Sequence, residues 1–288
     1  MCDEFTEADN AESAGHVSRR AFGVLAGGGA MALMLPSPAN ALAIGGKDVI
    51  VTTPDGKADA YFVAPATGKH PGVLIWPDIM GLRPAFRQMA DRLAQSGYAV
   101  LVVNPFYRAQ KAPVLAPGES FGQPEVRARL MPLMQALTPT TQVTDAKAFV
   151  AFIDAQPQVD KQRGLATTGY CMGGPITMRT AAALPGRVKA GASFHGGGLA
   201  TDKPDSPHLL VPKMKASYLF AIADNDDQRQ PEAKDMLRTA FTAAKLPAEI
   251  EVYKGAQHGW CPPDSAAYNA EQAERAWARM LALFEKAL

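Results

Sequence analysis

Gly164-Leu165-Ala166-Thr167-Thr168, running into Gly169-Tyr170-Cys171-Met172-Gly173-Gly174, is a short β-type run that breaks at a turn flanked by glycines. The spacing of apolar residues after it, over Gly174–Leu184, is that of a helix. The turn has the form G-x-S-x-G with cysteine in place of serine, a pattern that sets a nucleophile on a sharp strand-to-helix elbow. Its demand is steric, because the flanking positions must be almost free of side chain for strand and helix to approach each other. The same turn places the sulfur at a helix N-terminus, where the dipole favours thiolate, and lets the Met172 N–H face a developing oxyanion. The structural alternative is a small apolar Cys171 packed at a strand end, with the glycines serving only close approach.

Outward from the elbow, strands and helices alternate. Upstream, Asp48–Thr53 and Ala58–Ala64 flank the turn Pro54-Asp55-Gly56-Lys57 and read as an antiparallel hairpin. Val73–Trp76, Ala85–Ser96 and Tyr98–Val103 follow as strand, helix and strand, and Thr144–Ala155 is helical by spacing. Downstream, strands are expected at Val188–Phe194, Ser217–Ala223 and Ala248–Tyr253, with helices at Glu232–Ala244 and Ala266–Ala287. The fold class is therefore α/β: a mostly parallel sheet with helices on both faces and an N-terminal antiparallel hairpin. Ligands of such sheets sit beyond the carboxyl ends of the strands. Residues 109–141, where Pro and Gly interrupt short apolar pieces, read as irregular and as a candidate cap over a site.

The chain has 288 residues, 47% of them hydrophobic, with 29 Lys and Arg against 28 Asp and Glu. A formal net charge of +1 leaves no electrostatic footprint for nucleic acid. Three cysteines make no disulfide framework, and no CxxC or HxxxH spacing suggests a metal site, so neither metal nor cofactor is expected.

Residues 1–41 have the layout of a cleavable export signal. Ser18-Arg19-Arg20-Ala21-Phe22 is of the twin-arginine type, and Gly23 and Gly27 to Gly29 keep the next run less apolar than a membrane span. That run is about 15 residues, short of the ~20 a spanning helix needs. Ala39-x-Ala41 fits the cleavage rule and Ala41-x-Ala43 competes with it. The expectation is a periplasmic or secreted domain over residues 42–288, delivered by the twin-arginine export machinery and without stable membrane association after cleavage.

A thiol nucleophile needs a base, and on this kind of sheet the acid and then the histidine follow it in the chain. His258, in Gly255-Ala256-Gln257-His258-Gly259-Trp260, follows the last expected strand. His70 and His208 read as surface residues and His195 as a loop or lining residue. For the acid, Asp224, Asp226 and Asp227 follow one strand; one is the catalytic candidate and the others turn formers. Cys261, three residues past His258, is the second thiol of residues 42–288, and whether it pairs with Cys171 is open.

Gly169 to Gly174, the Gly-Ala-x-His-Gly loop and Trp76-Pro77-Asp78-Ile79-Met80-Gly81-Leu82 together resemble the dienelactone hydrolase family, over Asp48 to Leu288. The resemblance implies an α/β-hydrolase fold with a Cys-His-Asp triad. By residue, Cys171 matches the nucleophile, His258 the base and Asp226 the acid, the last by its spacing to Pro231-Glu232-Ala233. Asp78 falls where the family prototype has a glutamate that contacts the resting thiol, and Ile79 N–H would join Met172 N–H as an oxyanion donor.

There are two departures. Aspartate is one methylene shorter than glutamate, and the prototype's arginines for a substrate carboxylate have no clean match. Pro262 stands at one position, and Arg108 is offset by one residue from the other. Tyr107, Arg108 and Trp260 are candidates for the substrate wall. The implied activity is that of a carboxylic-ester hydrolase of the carboxymethylenebutenolidase type, cleaving a lactone, enol ester or activated ester through a cysteine acyl-enzyme. The alternatives are a thioesterase or acyltransferase on the same site, or a non-catalytic binding or redox-sensing protein.

Overall fold

A computed structural model describes residues 35, 36, 38 and 40–288; the twin-arginine-type segment and Ala39 of the expected cleavage site lie outside the described residues. Eight strands form one sheet: β1 (Ile44–Thr53), β2 (Gly56–Pro65), β3 (Gly72–Trp76), β4 (Ala99–Val103), β5 (Leu165–Tyr170), β6 (Val188–Phe194), β7 (Ser217–Ala223) and β8 (Ala248–Tyr253). Their order across the sheet is β1-β2-β4-β3-β5-β6-β7-β8. The hairpin β1–β2 and the β2–β4 pair are antiparallel, and every pair from β4 to β8 is parallel. The expected mixed α/β sheet is the one observed, and its architecture is that of an α/β-hydrolase.

Side chains of a strand alternate between faces, and the two faces carry separate cores. Leu74 and Trp76 of β3 pack with Phe149 of α3 (Pro139–Asp154), Ile176 of α4 (Gly173–Ala183) and Phe241 of α6 (Ala233–Ala243). Val73 and Ile75 point the other way, onto Phe86 of α1 (Pro84–Gln95) and Phe284 of α7 (Ala270–Ala287). Fully burying one such Phe contributes roughly 1.5–3 kcal/mol. β3, β4 and β5 are buried along their whole length, which is why β3 and β4 read as apolar runs, while β5 buries Thr167 and Thr168 among its apolar residues.

Several boundaries differ from expectation for identifiable reasons. β1 starts four residues early because pairing with β2 extends to Ile44↔Pro65. Helix α3 begins at Pro139, a residue preset for a first turn, where the Thr138 side chain accepts from Thr141 N–H. The segment read as irregular contains helix α2 (Pro124–Gln135), which buries Val126 and Leu130 although Pro132 lies inside it. Asp224–Arg229, expected as a turn, is the short helix α5. The last helix starts at Ala270 rather than Ala266, where Asn269 accepts from Gln272 N–H.

Candidate active site

The elbow is built as its glycines require. Cys171 has φ +53°, a left-handed conformation that costs a non-glycine residue roughly 1–2 kcal/mol. A Cβ on Gly169 would stand 2.2 Å from the Gly173 carbonyl oxygen, and one on Gly173 would stand 2.3 Å from that of Trp76. Neither backbone oxygen can yield, so only glycine fits. Cys171 N–H donates to Phe194 O (3.0 Å) and Gly174 N–H to Cys171 O (3.0 Å), which pins the turn between β6 and α4. Met172 forms the N-cap of α4.

Cys171 opens on a cavity of about 190 Å³ at the carboxyl ends of the strands, shared with Asp78, Ile79, His195 and His258. Leu115, Glu119 and Phe121 close it from above. The segment 109–141 thus supplies the cap that its irregular composition suggested.

His258 enters from the loop after β8 and is nearly buried. Its N–H donates to Asn225 Oδ1 (2.8 Å), and its Nδ1 lies 2.8 and 3.0 Å from the two oxygens of Asp226. Donation from Nδ1 to this carboxylate leaves Nε2 as the basic nitrogen. The neighbouring carboxylates are engaged elsewhere: Asp224 accepts from Gly255 N–H (3.0 Å) and Lys254 Nζ (3.2 Å), and Asp227 from Lys234 Nζ (2.6 Å). The Gly255 N–H, then the Lys254 charge, holds the Asp224 carboxyl below its ordinary range. Of the three candidates, Asp226 is the one brought to the histidine.

Asp78 lines the cavity, but its carboxylate is committed to a partner that the sequence reading did not single out. Arg83 donates from Nη1 to Oδ1 (2.7 Å) and from Nη2 to Oδ2 (2.9 Å), and Met80 N–H donates to Oδ1 (2.9 Å). Arg83 is also held by Asp264, Nε to Oδ2 at 2.7 Å and Nη2 to Oδ1 at 3.0 Å. Burial alone would lower the pKa of this guanidinium, but Asp78 and Asp264 outweigh it and raise it.

Three sequence candidates for the substrate wall are corrected. Tyr107 is in the core, its hydroxyl 2.7 Å from both Asp145 Oδ1 and Thr53 Oγ1, the last residue of β1. Arg108 turns with it and grips both oxygens of Asp145 at 2.7 Å, away from the cavity. Trp260 is fully buried behind the site, stacked on Tyr253 with centroids 5.1 Å apart. His195 does line the cavity; it is fully buried at φ +39°, and neither ring nitrogen has a hydrogen-bond partner among the described residues. Burial, and then the neighbouring His258, drives its pKa well below the ordinary histidine value. Cys261 is free and buried, in a small hollow beside Tyr170 and Trp277 rather than in the cavity, so it does not pair with Cys171. Among the described residues, no group of three or more His, Cys, Asp or Glu could hold a metal ion, and no helix is long and apolar enough to cross a membrane.

Known proteins share this arrangement of chain. A protein from Synechocystis with the provisional name carboxymethylenebutenolidase is 30% identical over 250 residues, which are 84% of this chain and 98% of that protein. A carboxymethylenebutenolidase from a Pseudomonas species is 27% identical over 233 residues, 80% of this chain and 91% of its own. The crystal structure of a provisionally named dienelactone hydrolase from Klebsiella pneumoniae superposes with a TM-score of 0.73 at 26% identity, covering 85% of this chain and 99% of the other. The family described as dienelactone hydrolase matches residues 58–288, from β2 through the elbow and the histidine loop to the last residue, and the chain belongs to that family.

Proposed function

We propose that this enzyme hydrolyses a lactone, enol ester or activated ester by forming an acyl-thioester on Cys171. The observation that carries the reading is the sharing of one cavity by Cys171 and His258 while Asp226 holds the histidine's Nδ1. His258 Nε2 takes the thiol proton, and Sγ attacks the substrate carbonyl carbon. Ile79 and Met172 N–H stabilise the oxyanion as the carbonyl π bond opens. The C–O bond to the leaving oxygen breaks, and that oxygen receives the proton from His258. Water then attacks the thioester, giving its proton to Nε2, and the thiolate leaves and is reprotonated.

A thiolate is itself a good leaving group, which favours substrates whose own leaving oxygen is stabilised, so ordinary alkyl esters and amides are poor substrates. No cofactor takes part in this sequence, and its partner is the small-molecule ester. Residues 1–41 serve in the same reading as the twin-arginine-type signal that exports a domain of residues 42–288 to a periplasmic or secreted destination.

The test is stopped-flow hydrolysis of p-nitrophenyl acetate by the reduced protein. A burst of one nitrophenolate per Cys171, abolished in Cys171→Ala, is expected; full activity in Cys171→Ala would refute the acyl-enzyme.

A further inference from the structure

The charges around the cavity select among the esters that such a site could take. Arg83 is the one arginine lining it among the described residues, and no lysine lines it. A guanidinium has five N–H donors in a fixed fork, and Arg83 has an acceptor for each. Nε donates to Asp264 Oδ2. Nη1 donates to Asp78 Oδ1 and to Gly81 O at 3.3 Å. Nη2 donates to Asp78 Oδ2 and Asp264 Oδ1.

A substrate carboxylate could reach this guanidinium only by displacing one of two carboxylates already in bidentate geometry. The cluster of one arginine and two aspartates carries a net negative charge. Glu119 is paired with Arg129 outside the cavity (Nη1 to Oε1, 3.0 Å) and adds no positive charge to the wall. The remainder is largely apolar, with Ile79, Met80, Leu115 and Phe121 facing the space in front of Cys171.

We propose that this active site takes uncharged acyl groups and rejects esters whose acyl chain ends in a carboxylate. The proposal rests on the ester-hydrolase reading and adds its substrate class. Asp264 is the specificity-determining residue. Its side chain is 43% exposed while those of Asp78 and Arg83 are buried, so it is the carboxylate that covers the outward Nε–Nη2 edge of Arg83. That edge is the one shaped for bidentate binding of a carboxylate.

The experiment compares two esters that differ only at the far end, p-nitrophenyl methyl adipate and p-nitrophenyl hydrogen adipate at pH 7, with the reduced full-length protein. The neutral ester is expected to have a kcat/KM higher by about tenfold or more, the scale set by like-charge juxtaposition. In Asp264→Ala, which bares the Nε–Nη2 edge, the ratio is expected to fall by about tenfold, mainly through KM for the acid. Equal or faster hydrolysis of the acid ester by wild type overturns the proposal while the hydrolase reading stands. Hydrolysis of neither ester overturns the reading beneath it, and this proposal with it. An unchanged ratio in a folded Asp264→Ala overturns the assignment of specificity to Asp264.

Discussion

His195 presents the edge of its ring to His258, the two ring centroids 5.0 Å apart and the planes at 66°, with Trp260 on another side of His195 at 5.6 Å. His195 is fully buried without a hydrogen-bond partner among the described residues, and burial followed by the proximity of His258 keeps its folded-state pKa far below the unfolded value. Its imidazole is therefore neutral beside His258.

A stability dependence on pH follows from that neutral ring. Unfolding exposes His195 to water, where it binds a proton as pH falls below about 6.5, while the folded state does not. The unfolded state thus holds the extra proton, and stability contributed at neutral pH is lost as pH drops below about 6.5 and continues downward toward the folded pKa. One proton corresponds to about 1.4 kcal/mol per pH unit. Urea unfolding at pH 7, 6 and 5 is expected to show a shallower loss in His195→Phe than in wild type, and equal slopes would show that His195 carries no part of the dependence.

Asp226 and its neighbours provide a comparison within one helical turn. Asp226→Asn is expected to lower kcat by about 10²- to 10⁴-fold, because the amide no longer favours the tautomer with a basic Nε2 or stabilises the imidazolium. Asp224→Asn and Asp227→Asn, whose side chains meet Lys254 and Lys234, should change kcat by less than about threefold. Steady-state hydrolysis of one activated ester by the three variants decides it.

The elbow glycines should be intolerant in proportion to what lies against them. Gly173→Ala drives a Cβ to 2.3 Å from the Trp76 carbonyl oxygen, whereas Gly186 has nothing within 4 Å. Denaturant melts are expected to show a loss of about 1–3 kcal/mol or more for the former, and within about 0.5 kcal/mol of wild type for Gly186→Ala. Comparable losses at the two sites would contradict the steric account of the turn.

Cys261 is buried, and burial pushes its thiol pKa well up. In the folded, reduced protein it should be alkylated by iodoacetamide at least about 100-fold more slowly than after unfolding in urea, because thiolate is the reacting form and access is closed. Peptide mapping by mass spectrometry reads this directly, and rapid native labelling of Cys261 would place it on an accessible surface instead.

Features set by local sterics or by short-range periodicity were legible in the chain itself. The strand, elbow and helix around Cys171 needed only the glycines at 169 and 173 and the apolar runs that flank them, because a turn this tight excludes a Cβ wherever it occurs. The succession of strands and helices along the chain and the place of His258 after β8 followed from the same alternation, and the resemblance carried by those motifs chose Asp226.

Tertiary structure alone decided the partners. Three aspartates within four residues send the same local signal, and only the short helix α5 packed against the histidine loop turns one of them toward Nδ1 and the others toward lysines. Tyr107, Arg108 and Trp260 looked like cavity residues by their place near strand ends, but hydrogen bonding to Asp145 and stacking on Tyr253 draw Tyr107 and Trp260 into the interior, and pairing with Asp55 and Asp145 holds the exposed Arg108 away from the cavity. Arg83 carried no signal of its own. Its five donors are satisfied by acceptors that include a residue 181 positions away, and a charge so distant in sequence meets its partner only when the loop before α7 folds over the cavity.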